Sequence, residues 1–394
     1  MPGSVILAGA RTPIGKLSGA LAGFSAMDLG GFAIAAALER AGLRPEQVQY
    51  TFMGQVLQAG QGQITARQAA TKAGIPMDIP ATTVNKVCLS GLNAIYLADL
   101  MIQAGDADVV VAGGMESMTQ ARNLLPGARA GYRMGDATVV DSMMYDGLYC
   151  QFDHCAMGLG TEQYNRSAKI SREEQDAAAA ASHERAAAAI KDGRLGEEIV
   201  AVQVPQRKGD PVVVDTDEGV RPGTTVESLA GLRPAFAKDG TITAGNASQI
   251  SDGAAAVVVV SRAKADELGV TPLGEILAYG QVAGPDASLL YQPAAAIEQA
   301  LGKVSMAVSD IDLFELNEAF AVVGLASSQR LGISADVVNV NGGAIALGHP
   351  VGMSGTRLPL TALHELRRRG GGTAAVALCG GGGQGDAMIL RSLA

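Results

Sequence analysis

The order in which strands and helices are predicted in the first 120 residues returns after residue 270. In the first copy, strand-like and helical runs alternate at residues 5–7, 27–41, 48–53, 64–73, 82–87, 90–104 and 107–112. The same succession recurs at residues 275–278, 293–301, 311–316, 318–331, 337–340, 354–367 and 374–378. Alternation of this kind is typical of α/β proteins. Seven elements in the same order predict a chain built from two duplicated α/β halves.

The segment between the two copies has a different character. It contains an alanine-rich helical run at 173–190, several Pro and Gly breaks, and few buried strand runs. We interpret it as an insertion carried by the first half, to whose sheet an apolar run at 257–260 returns as an extra strand. The expected domains are a first half (1–120 with 251–270), an inserted loop domain (121–250) and a second half (271–394). Within the insertion, residues 131–146 form either a protruding hairpin with apolar tips or an ordinary surface loop.

The composition excludes several classes of protein. The 394 residues carry a net charge of −9 without a run of like charge, which argues against a polybasic nucleic-acid surface. The first ten residues lack the features of a secretory signal or a transit peptide, and no window of about 18 apolar residues predicts a membrane span. The four cysteines form neither a Cys-x-x-Cys pair nor a plausible disulfide framework, so reduced thiols in the cytoplasm are expected.

Cys88 lies where a strand-like run meets the helix predicted from Ser90. Unsatisfied N–H groups and the positive end of the helix dipole at such a junction favour a thiolate, so we expect a pKa below the ordinary value of about 8.5. A sharp strand-to-helix turn also exposes the sulfur, much as in a nucleophile elbow. Two interpretations are open at this point: Cys88 is a nucleophile, or it is a small buried hydrophobic residue.

His349 is one of only four histidines, and it lies in a glycine-rich loop over residues 339–355. So many glycines cost conformational entropy and suit a backbone that passes close to a ligand. Gly348 and Pro350 flank the histidine and restrict its position. A functional histidine is favoured over a structural one.

Cys379 ends the apolar run 374–378 and is followed by four glycines. Ligands in α/β proteins lie at the carboxyl ends of strands, and bare glycine N–H groups can form an oxyanion hole. The run lacks the Gly-Lys-Ser/Thr ending of a phosphate-binding loop. Asn317 lies at the equivalent junction earlier in the second half, where it either caps a helix or points its amide into the site.

Taken together, these segments resemble the motifs of the thiolase family, the acetyl-CoA acetyltransferases and 3-ketoacyl-CoA thiolases. The motifs, in family order, are the Cys88 segment, Asn317-Glu318-Ala319-Phe320, Gly348-His349-Pro350 and the Cys379–glycine run. The similarity extends over essentially the whole chain, including residues 9–15. It implies two βαβαβαββ halves stacked into a five-layer αβαβα core, with an inserted loop domain that covers coenzyme A.

The resemblance also implies a role for each residue of the site. Cys88 takes the acyl group, His349 activates Cys88, and Cys379 acts as general acid and base. Asn317, through a water, and His349 form one oxyanion hole, while the backbone N–H groups of Cys88 and Gly381 form the other. These roles suit a Claisen condensation, which needs an activated acyl group, a carbanion-like nucleophile and stabilised oxyanions. A covalent acyl-cysteine divides the reaction into two steps with ping-pong kinetics.

For coenzyme A, the resemblance implies a set of contacts in which Ser248 meets the pantetheine and Arg221 the adenine end. The full set is Leu148, Met157, Arg221, Ser228, Ala244, Ser248, Ala319 and Phe320. The implied partners are acetyl-CoA, acetoacetyl-CoA and CoA, with coenzyme A thioesters as substrates, no permanently bound cofactor and no metal. A homodimer or homotetramer in fatty acid metabolism is expected, with 131–146 as the candidate tetramer hairpin.

The chain departs from the family pattern in two places. Short-chain members often carry His-Met-Gly in the loop domain, where this chain has Ala156-Met157-Gly158 and places His154 two positions early. After Cys379, Gly380 stands where a bulkier apolar residue is common, and Asp386 follows the final glycine. The first departure leaves the acyl-chain preference open.

The favoured interpretation is an acetyl-CoA C-acetyltransferase that reversibly condenses two acetyl-CoA to acetoacetyl-CoA. The first alternative is a degradative 3-ketoacyl-CoA thiolase of broader chain length. A ketoacyl synthase of the same fold uses one Cys with two His or with His and Asn, which the second cysteine argues against. A non-catalytic CoA- or lipid-binding protein of this fold would lose the nucleophile or the base, whereas both cysteines and His349 are present.

Overall fold

The computed structural model describes residues 4–393, so residues 1–3 of the expected first half and residue 394 of the second lie outside the described part. The long strands of the first half are β1 (Ser4–Arg11), β2 (Tyr50–Gly54), β3 (Ala81–Val84), β4 (Val109–Ser117) and β5 (Ser251–Ser261). Those of the second half are β6 (Gly274–Ala283), β7 (Leu313–Leu316), β8 (Thr373–Gly380) and β9 (Gln384–Ser392).

The two halves have the same strand order. Across the sheet the order is β3-β2-β4-β5-β1 in the first half and β7-β8-β9-β6 in the second. In the second half, an isolated parallel bridge from Phe314 to Val338 takes the place that β3 has in the first. The halves join where β1 pairs antiparallel with β6, at Val5 with Glu275 and at Ile6 with Gly274. The duplication predicted from the sequence is confirmed.

The helices form three layers around the two halves of the sheet. They are α1 (Ala26–Ala41), α2 (Thr65–Lys72), α3 (Ser90–Ala104), α4 (Met157–Ala168), α5 (Arg172–Lys191), α6 (Val226–Ala230), α7 (Arg262–Leu268), α8 (Gln292–Lys303), α9 (Ala321–Leu331), α10 (Ala344–Leu347) and α11 (Ser354–Arg368). Helices α1 and α2 cover the outer face of the first half, and α8 covers that of the second with α9 beside it. Helices α3 and α11 pack against each other between the halves, which completes the five-layer αβαβα core.

Local sequence explains why these elements form. Strand β5 reads Ser-Asp-Gly-Ala-Ala-Ala-Val-Val-Val-Val-Ser and is buried throughout, as expected for a strand covered on both faces. Helix α1 begins at a capping box formed by Ser25 and Asp28. It ends at Gly42, whose φ of 65° is favourable only for glycine.

The two central helices meet at their first turns. A Cβ on Gly91 would come within 2.7 Å of Thr356 Oγ1 and 2.9 Å of the Gly352 carbonyl oxygen. The Ser-Gly pair that opens each helix therefore lets the two N-termini approach closely. The contact lies a few residues after Cys88 and His349, which precede the two helices.

The insertion contains α4, α5, α6 and several short hairpins. One of them is the base of a projection, where Asn123–Leu124 pairs antiparallel with Val140–Asp141. The chain between these two strands exposes large apolar side chains: Leu125, Tyr132, Met134 and Val139. Of the two interpretations of residues 131–146, the structure has the hairpin, but its paired strands are residues 123–124 and 140–141, so it begins earlier in the chain than predicted.

Two predictions about individual elements are wrong, and one strand was not found from the residue pattern. Residues 337–340 are not a strand, since Ala335–Val337 is a short turn of helix and Asn339 has a φ of 46°, outside the β region. Helix α9 begins at Ala321 and not at residue 318. Strand β9 lies between β8 and β6 as the last strand of the second βαβαβαββ half, although no apolar run had predicted its position.

The segment Val87–Ala104 is long and apolar enough to cross a membrane, with a mean hydropathy of 1.4, contrary to the expectation from sequence. It contains α3, which packs between the two halves of the sheet. A helix that is covered on several sides in a protein core has the same apolar composition.

Candidate active site

Cys88 lies in a tight, strained turn between β3 and α3. Val87 has a φ of 51°, a left-handed conformation that is an outlier for a β-branched residue. The Ser90 hydroxyl accepts a hydrogen bond from the Lys86 N–H at 2.8 Å and donates one to the Val87 carbonyl at 2.6 Å. The Val87 N–H donates to Asn85 Oδ1 at 3.0 Å. The predicted strand-to-helix turn is present, with the strained residue directly before the cysteine.

The prediction that the helix terminus lowers the pKa of Cys88 is wrong. Its side chain is buried, and burial raises the pKa of the thiol to about 12, with a further contribution from the Glu116 carboxylate. Desolvation of the charged form therefore outweighs the favourable field of the helix N-terminus. The thiol is neutral near pH 7 and needs a base before it can act as a nucleophile.

His349 is held by contacts to its backbone and to its ring. Its N–H donates to the Gln249 carbonyl at 3.1 Å. Nδ1 lies 2.6 Å from Ser354 Oγ, and the Ser354 hydroxyl donates to the Pro350 carbonyl at 3.0 Å. Ser354 thus accepts the Nδ1 proton, which leaves Nε2 as the basic nitrogen. Burial and the positive charge of Arg357 lower the pKa of His349 to about 4, so the ring is neutral near pH 7.

Asn317 occupies the turn between β7 and α9 and points its amide at His349. Its backbone N–H donates to the Ala377 carbonyl at 3.0 Å, and its Nδ2 lies 3.4 Å from His349 Nε2. Helix α9 has Phe320 in its N-cap position, so Asn317 does not cap it. The Oδ1 atom of Asn317 is buried and accepts no hydrogen bond from residues 4–393. Of the two interpretations of Asn317, the structure has the amide directed into the site.

Cys379 ends β8, in the half of the molecule opposite to Cys88, and it is only 1% exposed. Burial raises the pKa of its thiol well above the ordinary value, and negative charge on Cys88 raises it further. The residues that follow the two cysteines also face each other, because a Cβ on Gly380 would meet the Leu89 side chain. The fold therefore brings the two cysteines together from opposite halves.

The glycines after Cys379 pack against the Cys88 turn. A Cβ on Gly380 would come 2.6 Å from Leu89 Cγ, so Leu89 fills the space that a bulkier residue at position 380 would take. A Cβ on Gly381 would lie 3.5 Å from Val87 and 3.8 Å from Met157. Gly380, at a position where the family often has a bulkier residue, therefore faces Leu89, whose side chain occupies the space that such a residue would need.

A largely apolar pocket of about 490 Å³ has His349 in its lining. Seven of the eight residues expected to contact coenzyme A also line it: Leu148, Met157, Arg221, Ala244, Ser248, Ala319 and Phe320. The eighth, Ser228, is not among the lining residues. Its hydroxyl donates to the Thr225 carbonyl at 2.7 Å and accepts from the Thr225 N–H at 3.0 Å, and so caps the short helix α6. Its contact with coenzyme A stays a prediction.

Sequence reasoning missed part of the site. Further pocket residues come from segments far apart in the chain: Lys16, Leu17, Met118, Met144, Phe236 and Ile250. They share no motif, so no local signal could have identified them. Ser354 was noted only as the start of a helix, although its position five residues after His349 on a tight loop could have suggested a contact.

The arrangement has a definite chemical capability. A thiol that meets a neutral imidazole can lose its proton and accept an acyl group, and a second thiol can carry a proton to or from a substrate. The pocket is mostly apolar, and Arg221 adds a cation to its lining, which suits a ligand with an apolar arm and an anionic group.

Comparison with known proteins matches both halves of the chain. The family models described as "Thiolase, N-terminal domain" and "Thiolase, C-terminal domain" match residues 4–263 and 270–392. A probable acetyl-CoA acetyltransferase from Mycolicibacterium smegmatis is 60% identical over 387 residues, covering 98% of this chain and 100% of the relative. The acetyl-CoA acetyltransferase of Cupriavidus necator is 52% identical over 388 residues, covering 98% of each chain. The crystal structure of the Bacillus anthracis acetyl-CoA acetyltransferase has a TM-score of 0.97 and 39% identity, covering 100% of this chain and 99% of that one.

Proposed function

The chain belongs to the thiolase family, and on that premise we propose that it is an acetyl-CoA C-acetyltransferase. It catalyses the reversible Claisen condensation of two acetyl-CoA to acetoacetyl-CoA and CoA through an acetyl-cysteine intermediate. The observation that carries the proposal is the match of both halves to the thiolase family models, in a fold where Leu89, next to Cys88, faces Gly380, next to Cys379. Coenzyme A thioesters are the substrates, and the reaction needs no permanently bound cofactor.

In the first half-reaction, His349 Nε2 takes the proton of the Cys88 thiol, and the sulfur attacks the acetyl-CoA carbonyl carbon. A neutral imidazole suits this step because the buried thiol does not ionise by itself near pH 7. The carbon–sulfur bond to CoA breaks, and the departing CoA thiolate takes a proton from Cys379. The products are acetyl-Cys88, protonated His349, the Cys379 thiolate and free CoA.

In the second half-reaction, the Cys379 thiolate removes the α-proton of a second acetyl-CoA. The burial that raises the pKa of this thiol also makes its thiolate a strong base, which suits a weakly acidic C–H group. The resulting enolate attacks acetyl-Cys88, and the Cys88 sulfur leaves and regains its proton from His349. His349 and a water held by Asn317 stabilise the enolate oxygen, and the N–H groups of Cys88 and Gly381 stabilise the tetrahedral oxyanion.

The second cysteine also weighs against the other functions open to this fold. A ketoacyl synthase would use one thiol, and a non-catalytic CoA- or lipid-binding protein would need neither the thiols nor the imidazole. Here both thiols and the imidazole are present, and all three side chains are buried. The remaining alternative is a degradative 3-ketoacyl-CoA thiolase of broader chain length.

Thiolysis rates across acetoacetyl-CoA to 3-ketodecanoyl-CoA distinguish the two thiolase activities. We expect acetoacetyl-CoA to react fastest, with kcat/KM falling by about tenfold or more toward the ten-carbon substrate. The reason is that the reacting carbons must reach the sulfurs of Cys88 and Cys379, whose side chains are only 5% and 1% exposed, and a longer acyl chain must be accommodated next to them. Rates that rise with chain length would establish the broader thiolase instead.

We also propose that the chain forms a homotetramer, a dimer of dimers, through the projection between residues 123 and 141. Met134 is fully exposed at its tip, and Leu125, Tyr132 and Val139 are about half exposed. A cluster of exposed large apolar side chains is typical of an interaction surface. Replacing residues 126–139 with a short Gly-Ser linker is expected to halve the mass measured by sedimentation.

The matched control for this variant is a Gly-Ser replacement of residues 207–210, another exposed loop of the insertion, which is expected to leave the mass unchanged. An unaltered mass in the 126–139 variant would exclude the role of the projection.

We propose a cytoplasmic location as well, because the proposed reaction uses cysteines as free thiols and all four cysteines are unpaired in the fold.

A further inference from the structure

The turn that carries Cys88 is tied to the second half by an ion pair. Lys86 Nζ lies 2.8 Å and 2.9 Å from the two carboxylate oxygens of Asp386, and 3.1 Å from Gln281 Oε1. Lys86 stands two residues before Cys88 in the first half, whereas Asp386 and Gln281 lie directly opposite each other on β9 and β6. The ion pair therefore connects the two halves next to the site.

Asp386 lies beside the second cysteine in the sheet. In the antiparallel pairing of β8 and β9 it is opposite Leu378, the residue before Cys379. Its side chain is fully buried and accepts a hydrogen bond from the Tyr279 hydroxyl at 2.5 Å. The Tyr279 ring stacks on Tyr96 of α3, with a centroid distance of 4.0 Å. The position of the Asp386 side chain close to Cys379 is thus fixed by its contacts.

The strained turn needs support from outside itself. A left-handed conformation at a β-branched residue such as Val87 persists only where the surrounding structure holds it. The hydrogen bonds from Asn85 and Ser90 lie within the first half and do not define where the turn sits relative to the second half. Gly380 and Gly381 pack against the turn through apolar contacts, and the ion pair adds a directional one, because a buried carboxylate without a cation is costly and Asp386 therefore holds the Lys86 side chain in place.

We propose that Lys86 and Asp386 are positioning residues that set the location of the Cys88 sulfur relative to Cys379 and His349. This inference rests on the proposed function, because the acetyl group on Cys88 must meet a carbanion formed at Cys379. A misplacement of about 1 Å can lower the rate of such a step about 10²-fold. Neither Lys86 nor Asp386 lines the substrate pocket, so substrate binding does not depend on them directly.

The test is the Lys86→Met/Asp386→Asn double variant, which removes both charges and leaves no lone buried charge. We expect kcat for condensation and thiolysis to fall about tenfold or more. The KM for acetyl-CoA should change by less than about twofold, and the thermal unfolding midpoint should stay near that of the wild type. A double variant with wild-type kcat would overturn the inference.

Arg262→Met is the matched control. It breaks the Arg262–Glu275 ion pair at 2.6 Å, which also links the halves but lies at the pairing of β1 with β6. This variant is expected to keep its kcat. A loss of kcat in Arg262→Met as large as that in the double variant would mean that the effect comes from a general weakening of the contact between the halves, and it would overturn the inference.

A second variant covers the case in which the double variant does not fold. Tyr279→Phe removes only the hydroxyl that holds Asp386, and we expect kcat to fall about threefold or more with KM unchanged. An unchanged kcat in that variant would overturn the inference. A wild-type protein that neither takes up acetyl label nor condenses acetyl-CoA would instead refute the proposed function, so the two failures are distinguishable.

Discussion

A Cys88→Ala variant is expected to lose both turnover and the incorporation of radiolabelled acetyl groups from acetyl-CoA. The loss follows because the proposed mechanism places the acetyl group on Cys88, and His349 is then a base without that thiol to deprotonate. Removing the nucleophile of a covalent enzyme lowers kcat by on the order of 10⁴-fold or more. The measurements are the condensation rate and the acetyl label retained per subunit after denaturation.

Cys155→Ala is the control for this experiment. Cys155 lies in the short hairpin that pairs Tyr149–Cys150 with Cys155–Ala156, and it does not line the substrate pocket. Its removal is expected to leave both the rate and the label close to wild type. Normal activity in the Cys88→Ala variant would refute the assignment of Cys88 and with it the acyl-cysteine mechanism.

A Cys379→Ser variant is expected to take up acetyl label on Cys88 but to lose condensation. The serine hydroxyl is much less acidic than a thiol, so it cannot supply the base that removes the α-proton, and condensation should fall by about 10²- to 10⁴-fold. Acetyl transfer to Cys88 suffers less, because a CoA thiolate with an ordinary thiol pKa of about 8.5 leaves readily without a proton donor. Label stoichiometry and acetoacetyl-CoA formation, measured on the same sample, separate the two half-reactions.

Two outcomes would contradict the role given to Cys379. Condensation at the wild-type rate would mean that another group removes the α-proton. Loss of the acetyl label would mean that Cys379, and not only Cys88, is needed to form the intermediate. The Cys155→Ala variant again serves as the control for replacing a cysteine outside the pocket.

The ionisation of these groups shows how the fold prepares the site. Burial raises the pKa of both thiols and lowers that of His349 to about 4, so the resting site carries little charge near pH 7. Charge then develops only when substrate is present, in surroundings of low dielectric where the oxyanion contacts are strongest. A permanently ionised Cys88, which the helix terminus alone predicts, is not required.

The sequence predicted the architecture well where the signals were local. Helix α3 begins at Ser90 and ends at Ala104 as predicted, because small and apolar residues at helical spacing end at the Gly105 cap. The prediction from sequence failed at 337–340, where an apolar run has the strand pattern but Asn339 takes a left-handed conformation. Such a conformation depends on contacts to β7, to which Asn339 donates its backbone N–H, and these are not visible in a local window.

Short stretches of the sequence were enough to predict the duplication, the fold class and the chemical groups available, because hydrophobic periodicity, glycine turns and motif order are local properties. The neutral state of the Cys88 thiol, the direction of Asn317 toward His349 and the contact of Lys86 with Asp386 across the two halves could not be predicted in this way. The physical reason is that desolvation, coulombic interaction and hydrogen-bond geometry depend on which atoms surround a group. Those atoms come from segments as many as 300 residues apart, and only the folded chain brings them together.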